Sequence, residues 1–134
     1  MARILIIEDN APLRTMLKNA LGTEGHLVVE ATNGSEGIGL FERNEFDLVI
    51  TDIIMPGRWG IETIVRLKQT RPNAKIMAIS GAGGGRSEDL LKAAWNVGAH
   101  AVLTKPFTMK DLRQTIASLL PPKPDADKKD ADKK

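Results

Sequence analysis

The chain has 134 residues, 42% of them hydrophobic, which suits one buried core and falls within the usual size of a single domain. Nineteen basic residues against 17 acidic ones give a formal charge of +2, so the basic surplus that drives direct nucleic-acid binding is absent. Cysteine is also absent, which excludes disulfides and thiolate metal sites and favours a cytoplasmic location. No apolar run is long enough to predict a signal peptide or insertion into a membrane.

Apolar runs of strand length alternate with amphipathic helical stretches, a pattern typical of a parallel sheet covered by helices on both faces. The predicted strands are Arg3–Ile7, Leu27–Ala31, Asp47–Thr51, Lys75–Ser80 and Ala101–Thr104. The third and fourth strands are apolar enough for the centre of the sheet, whereas the second has the character of an edge strand. Together these units predict an α/β fold, a doubly wound (βα)5 domain with the flavodoxin-like strand order 2-1-3-4-5.

The predicted helices differ in how strongly the sequence supports them. The first has an apolar stripe at three- and four-residue steps, formed by Leu13, Met16, Leu17, Ala20 and Leu21. The other four are predicted at Glu36–Arg43, Ile61–Arg71, Glu88–Asn96 and Lys110–Leu119, with Thr108 as the N-cap of the last. The second helix is the weakest, because Gly37 and Gly39 each cost about 1 kcal/mol relative to alanine. Tertiary packing must therefore hold it.

The composition changes after Leu120 to Pro, Lys, Asp and Ala alone, with no side chain large enough to anchor a core. We therefore expect residues 1–120 to form one domain and residues 121–134 to be a disordered tail. Contact between the mixed charges of this tail and a partner remains an alternative. No output domain is expected in the chain.

Acidic residues follow two strands that the predicted order makes neighbours. Glu8 and Asp9 come directly after the first strand and Asp52 after the third, at the edge where α/β sheets bind ligands. Carboxylates held together repel, and oxygen ligands without His or Cys favour Mg2+ as the cation that relieves the repulsion. Taken singly, each residue has a structural alternative, with Asp9 or Asn10 as a helix N-cap and Asp52 as a polar strand end. Their convergence favours a metal site.

Two more polar residues are predicted at the same edge, Ser80 at the end of the fourth strand and Lys105 after the fifth. A phosphoryl group in transfer needs positioned cations and hydrogen-bond donors, which Lys105 and the Ser80 hydroxyl would supply. Asp52 would then be the nucleophile that forms an acyl phosphate. Alone, Lys105 would be an ordinary solvated lysine and Ser80 a turn or capping residue.

Four separated motifs resemble the signature of response-regulator receiver domains. They read Ile4-Leu-Ile-Ile-Glu-Asp-Asn10, Leu48-Val-Ile-Thr-Asp-Ile-Ile-Met-Pro-Gly57, Ile79-Ser-Gly81 and Leu103-Thr-Lys-Pro-Phe107. The resemblance implies that Asp52 is phosphorylated, that Lys105 and Ser80 contact the phosphoryl group, and that the bond between Lys105 and Pro106 is cis. It also implies a magnesium site with ligands from Glu8, Asp9, Asp52 and the backbone carbonyl of Ile54.

The same resemblance implies a signalling switch of a two-component phosphorelay, not a metabolic enzyme. Such a protein catalyses its own Mg2+-dependent phosphorylation and its slow dephosphorylation. Its phosphoryl donor would be a histidine kinase or a histidine phosphotransfer protein. After phosphorylation it would bind an unidentified downstream protein, as a monomer or a weak dimer.

Departures from the family pattern concern the output surface. Val102 stands where receivers often carry Tyr or Phe, so the aromatic half of the usual switch is absent. The next candidate is the glycine-rich loop after the fourth strand, whose ordering would carry the signal instead. This loop contains Gly81, Gly83, Gly84, Gly85 and Arg86. Trp59 is a candidate partner contact or cap over the cleft, and Trp95 a candidate partner contact with edge packing as its alternative.

Other functions stay open on the sequence. A receiver-like interaction module that acts without phosphorylation is the main alternative, although the complete polar set at the sheet edge argues against it. An aspartate-based phosphohydrolase would usually carry a second acid where Ile54 stands. Nucleotide or flavin binding is disfavoured, because Arg86 replaces a required glycine and no Lys-Ser/Thr pair follows the loop.

Overall fold

A computed structural model of the chain describes residues 2–53, 59–80 and 87–120, and for Trp59 and residues 87–91 it describes the backbone only. Its strands are β1 (Arg3–Ile7), β2 (Leu27–Ala31), β3 (Leu48–Asp52), β4 (Ile76–Ser80) and β5 (Ala101–Thr104). Its helices are α1 (Ala11–Thr23), α2 (Gly34–Arg43), α3 (Trp59–Thr70), α4 (Ser87–Asn96) and α5 (Met109–Leu119). None of the helices in these ranges is long and apolar enough to cross a bilayer.

The five strands form one parallel sheet in the order β2-β1-β3-β4-β5, which confirms the predicted fold and the edge position of β2. The register aligns the carboxyl ends of the strands. Ile7 at the end of β1 lies opposite both Ala31 and Thr51, and Asp52 lies opposite Ile79. The residues that follow β1 and those that end β3 and β4 therefore meet at one edge.

The sheet separates two buried apolar clusters. On one face, Phe41, Leu67 and Ala94 come from α2, α3 and α4, and on the other Leu17 and Ile116 come from α1 and α5. Burial of such a side chain contributes about 1.5–3 kcal/mol, so both faces of the sheet must be covered for the domain to be stable. The predicted stripe of α1 holds except at Met16, which stays 38% exposed on the flank of the helix.

Helix α2 contains both of its predicted glycines, and one of them has a packing role. A Cβ at Gly37 would lie 2.6 Å from Cγ1 of the fully buried Ile7 in β1, so only glycine allows this approach of helix and strand. The helix begins two residues earlier than predicted, because the Asn33 side chain accepts a hydrogen bond from the Glu36 N–H and caps it. Packing and capping together offset the poor helix propensity.

The bounds of other elements differ from the predicted bounds by one or two residues. Strand β3 spans Leu48–Asp52, one residue later at each end than the predicted Asp47–Thr51. Asp47 lies just before the strand, where its carboxylate accepts a hydrogen bond from the Arg3 N–H. Helix α3 begins at Trp59, ahead of the predicted start. Thr108 caps α5 as predicted, accepting from the N–H of Asp111 at 3.0 Å.

Candidate functional site

The structure brings the three predicted carboxylates together at the carboxyl edge of β1 and β3. Oxygen atoms of Glu8, Asp9 and Asp52 lie within 4.8 Å of one another. Glu8 and Asp52 are only 1% and 2% exposed, whereas Asp9 is open to solvent. The sheet register causes this convergence, since β1 and β3 pair directly.

The N-cap of α1 determines that the Asp9 side chain is available to this cluster. Asn10, and not Asp9, is the N-cap, with its Oδ1 accepting from the Leu13 N–H at 2.9 Å. Oε2 of Glu8 accepts from the Asn10 N–H at 3.0 Å. Within the described part of the chain, the buried Oε1 of Glu8 accepts no hydrogen bond. This oxygen is available to a ligand.

Lys105 provides a cation at the cluster. Its Nζ lies 2.9 Å from Oδ2 of Asp52 and 3.6 Å from Oε1 of Glu8. The Lys105 N–H donates to the Ser80 carbonyl at 2.8 Å, which ties the segment after β5 to the end of β4. The bond between Lys105 and Pro106 is cis, as predicted. Lys105 thus pairs with two of the three clustered carboxylates, which leaves the cluster with an excess of acidic groups.

The pKa values of the cluster reflect this imbalance. Burial raises the pKa of Glu8 to about 7; the Asn10 N–H opposes the rise, and the charge of Asp52 adds to it. Burial by itself lowers the pKa of Lys105, but the hydrogen bond and charge of Asp52, with the charge of Glu8, outweigh it and leave the pKa raised. The folded chain therefore disfavours a full set of negative charges. An oxygen-liganded divalent cation fits these residues, because it would relieve the repulsion and bind Oε1 of Glu8, which accepts no hydrogen bond among the described residues.

Ser80 occupies the position that the sequence predicts for it. It is the last residue of β4, is fully buried, and lies opposite Thr104. The neighbouring pair in the sheet joins Asp52 to Ile79. The Ser80 side chain is therefore on the strand next to Asp52, at the same end of the sheet.

Residues 4–117 match the family model of the response regulator receiver domain. The chain belongs to this family. Receiver domains are phosphorylation-activated switches of two-component systems. The match covers four strands completely and β1 from its second residue, and it includes nearly all of the residues that the structure describes.

Relatives and solved structures agree with this assignment. Chemotaxis protein CheY of Halobacterium salinarum is 31% identical over 118 residues, which cover 88% of this chain and 96% of that protein. Sporulation initiation phosphotransferase F of Bacillus subtilis is 28% identical over 119 residues, covering 89% and 94%. The response regulator TrrA of Thermotoga maritima, crystallised in complex with Mg2+-BeF, superposes with a TM-score of 0.78 at 33% identity, covering 90% and 100%.

The structure describes some of the residues that the sequence predicts for the output surface, and not others. Val102 is half-buried and packs against the apolar cluster under α2, α3 and α4. Trp95 on α4 is 51% exposed, which leaves its indole available to a partner. Trp59 begins α3, and its side chain is outside the description. Also outside the described residues are Ile54, Gly81, Gly83, Gly84, Gly85 and Arg86.

One residue at the site was not predicted from the sequence. Arg14 in the first turns of α1 donates from Nη1 to the backbone carbonyl of Glu8 at 2.8 Å. Its Nε lies 3.4 Å from Oε1 of Glu30 in β2. The sequence contained only an indirect signal for the contacts of Arg14. Arg14 and Lys18 share one side of the helix, and Glu30 is the acidic residue of the adjacent edge strand.

Proposed function

We propose that Asp52 accepts a phosphoryl group from a phosphohistidine donor and that phosphorylation changes the affinity of the chain for a downstream protein. The observation that carries the proposal is the buried Asp52 carboxylate, 2.9 Å from Lys105 and clustered with Glu8 and Asp9. Membership of the receiver family supports the same reading. The donor would be a histidine kinase or a histidine phosphotransfer protein.

Each residue has a defined part in the transfer. A carboxylate oxygen of Asp52 attacks phosphorus as the bond from phosphorus to the donor imidazole nitrogen breaks, and that nitrogen keeps the electron pair. Lys105, whose Nζ lies 2.9 Å from Oδ2 of Asp52, would neutralise charge on the transferred oxygens. The Ser80 hydroxyl, at the end of the adjacent strand, would donate a hydrogen bond to the new phosphoryl group.

Glu8, Asp9 and Asp52 would hold Mg2+, with the carbonyl of Ile54 as a further ligand. Support comes from Oε1 of Glu8, which is buried and accepts no hydrogen bond from the described residues, and from the Thermotoga maritima relative, which was crystallised with Mg2+-BeF. When bound, Mg2+ supplies positive charge to the carboxylates and to the phosphoryl oxygens. Asp9 is exposed and can reach a cation that keeps part of its water shell.

The proposal extends to the whole chain. Residues 1–120 would be the receiver domain of a cytoplasmic protein that is monomeric or weakly dimeric. Its output would use the glycine-rich loop, the strand that carries Val102 and the surface around Trp95.

A small phosphodonor with Mg2+, followed by intact mass measurement, tests the proposal. Wild type should gain one labile phosphoryl group, Asp52→Asn should gain none, and chelation of Mg2+ should abolish the adduct. Asp47→Asn is the matched control, because Asp47 stands at the opposite end of β3 and Asn can still accept from the Arg3 N–H. A wild type without an adduct would favour an interaction module that acts without phosphorylation.

A further inference from the structure

The peptide bond between Glu8 and Asp9 links two of the three clustered acidic residues, and both ends of Glu8 are fixed. Its N–H donates to the Ala31 carbonyl at 3.0 Å, as a continuation of the β1–β2 ladder. Its carbonyl accepts from Arg14 Nη1 at 2.8 Å. Because the peptide unit is planar, the direction of this carbonyl determines how the backbone enters Asp9.

Arg14 is itself held in place by the edge strand. Its side chain is only 17% exposed, and Nε pairs with Oε1 of Glu30. The other oxygen of Glu30 lies 3.3 Å from Nζ of Lys18, whose side chain is 52% exposed. Arg14 therefore bridges β2 and the turn after β1, which suits a guanidinium group with several donors in a rigid fork.

We propose that Arg14 is a positioning residue for divalent-cation binding, holding the Glu8 carbonyl so that the carboxylates of Glu8 and Asp9 face the same ion. The inference rests on the function proposed above. Glu8 has further anchors in the Asn10 N–H and Lys105, whereas Asp9 is exposed and depends more on its backbone. Loss of the Arg14 hydrogen bond should therefore weaken the contribution of Asp9 most.

The alternative is that Arg14 only forms a surface ion pair with Glu30. The two hypotheses predict opposite changes in cation affinity when Arg14 is replaced. Arg14 is a positive charge near an acidic cluster, so its removal should tighten cation binding if charge alone matters. Removal should weaken binding if Arg14 positions the ligands. Lys18 provides the matched control, since it pairs with the same Glu30 and has no contact with Glu8 among the described side chains.

The experiment is a Mn2+ titration of the full chain, with free Mn2+ followed by electron paramagnetic resonance. Mn2+ shares the oxygen-ligand preference of Mg2+. Arg14→Met should raise the dissociation constant about tenfold, as loss of an outer-shell partner does at other metal sites. Lys18→Met should leave it unchanged or slightly lower, and Arg14→Lys, which keeps the charge with a single donor group, should fall between wild type and Arg14→Met.

Hydrogen exchange provides a second measurement. If Arg14 formed only an ion pair with Glu30, its loss would not change the exchange rates of the amides next to Glu8. The Asp9 and Asn10 amides should exchange faster in Arg14→Met than in Lys18→Met, with thermal unfolding used to confirm that both variants are folded. Equal Mn2+ affinity in Arg14→Met and wild type would overturn the inference, as would an equal loss in Lys18→Met. Failure of wild type to bind Mn2+ would instead remove the proposed function and this inference with it.

Discussion

Asp9 and Asn10 are adjacent polar residues with different roles at the start of α1. Asn10 caps the helix, so the Asp9 carboxylate is left to join Glu8 and Asp52. Either residue satisfies the sequence preference for an N-cap, and the sequence therefore left both open. The structure selects Asn10 because the chain turns after Glu8, with the Asn10 N–H bonded to the Glu8 side chain.

Glu8 should destabilise the metal-free protein at neutral and alkaline pH. Burial raises its pKa from 4.5 to about 7, so the contribution of Glu8 to stability is complete below pH 4.5 and is lost as the pH rises through 7. In the presence of a chelator, Glu8→Gln should be more stable than wild type at pH 8, by up to roughly 3 kcal/mol. The difference should vanish near pH 4, as measured by urea unfolding.

Addition of Mg2+ should reverse the order of stability at pH 8, so that wild type becomes more stable than Glu8→Gln. Wild type should gain stability from the cation, whereas Glu8→Gln should gain less because it offers a weaker ligand set. Glu42→Gln, on the exposed side of α2, is the control and should behave as wild type in both conditions. A Glu8→Gln variant less stable than wild type at pH 8 without metal would contradict the account of the site.

Helix α2 depends on the strand beneath it more than on its own sequence. Its two glycines lower helix propensity equally, yet their surroundings differ. Gly37 faces Ile7 of β1, whereas a Cβ at Gly39 would lie 3.5 Å from the Arg43 guanidinium, an ordinary van der Waals distance. Only Gly37 is required for the close approach of the helix to the sheet, behind the end of β1 that leads into the site.

Alanine substitutions at these glycines should have opposite effects. Gly37→Ala should lower the free energy of unfolding by about 1–2 kcal/mol, because overpacking against Ile7 outweighs the gain in helix propensity. Gly39→Ala should raise it by up to about 1 kcal/mol. Chemical denaturation of both variants measures the difference. Equal stabilisation by the two substitutions would show that α2 does not pack this closely on β1.

Helix α5 is the last element that the structure describes. Leu119 is buried, and Leu120 packs against the same apolar cluster between α1, α5 and the sheet. The Leu120 N–H still donates to the Ile116 carbonyl. The end of α5 and the residue that follows it therefore both contribute to the core.

Truncation tests the proposed domain boundary at residue 120. A chain of residues 1–120 should unfold at the same temperature as the full chain and accept phosphate equally well. Residues 1–118 should lose about 3–5 kcal/mol, because the burial of Leu119 and the partial burial of Leu120 are removed. Thermal unfolding and the phosphorylation assay measure both effects. A large loss of stability in the 1–120 chain would assign the tail a structural role.

Much of this architecture follows from the sequence by itself. Alternating apolar runs predicted all five strands and five helices in order, and the polar residues after the strands predicted the carboxylate edge. These signals are local, since hydrophobic periodicity reports on segments of five to fifteen residues. Only the tertiary structure placed Arg14 on the Glu8 carbonyl, Gly37 against Ile7 and Lys105 on Asp52, because these contacts depend on the register and spacing of elements that are distant along the chain.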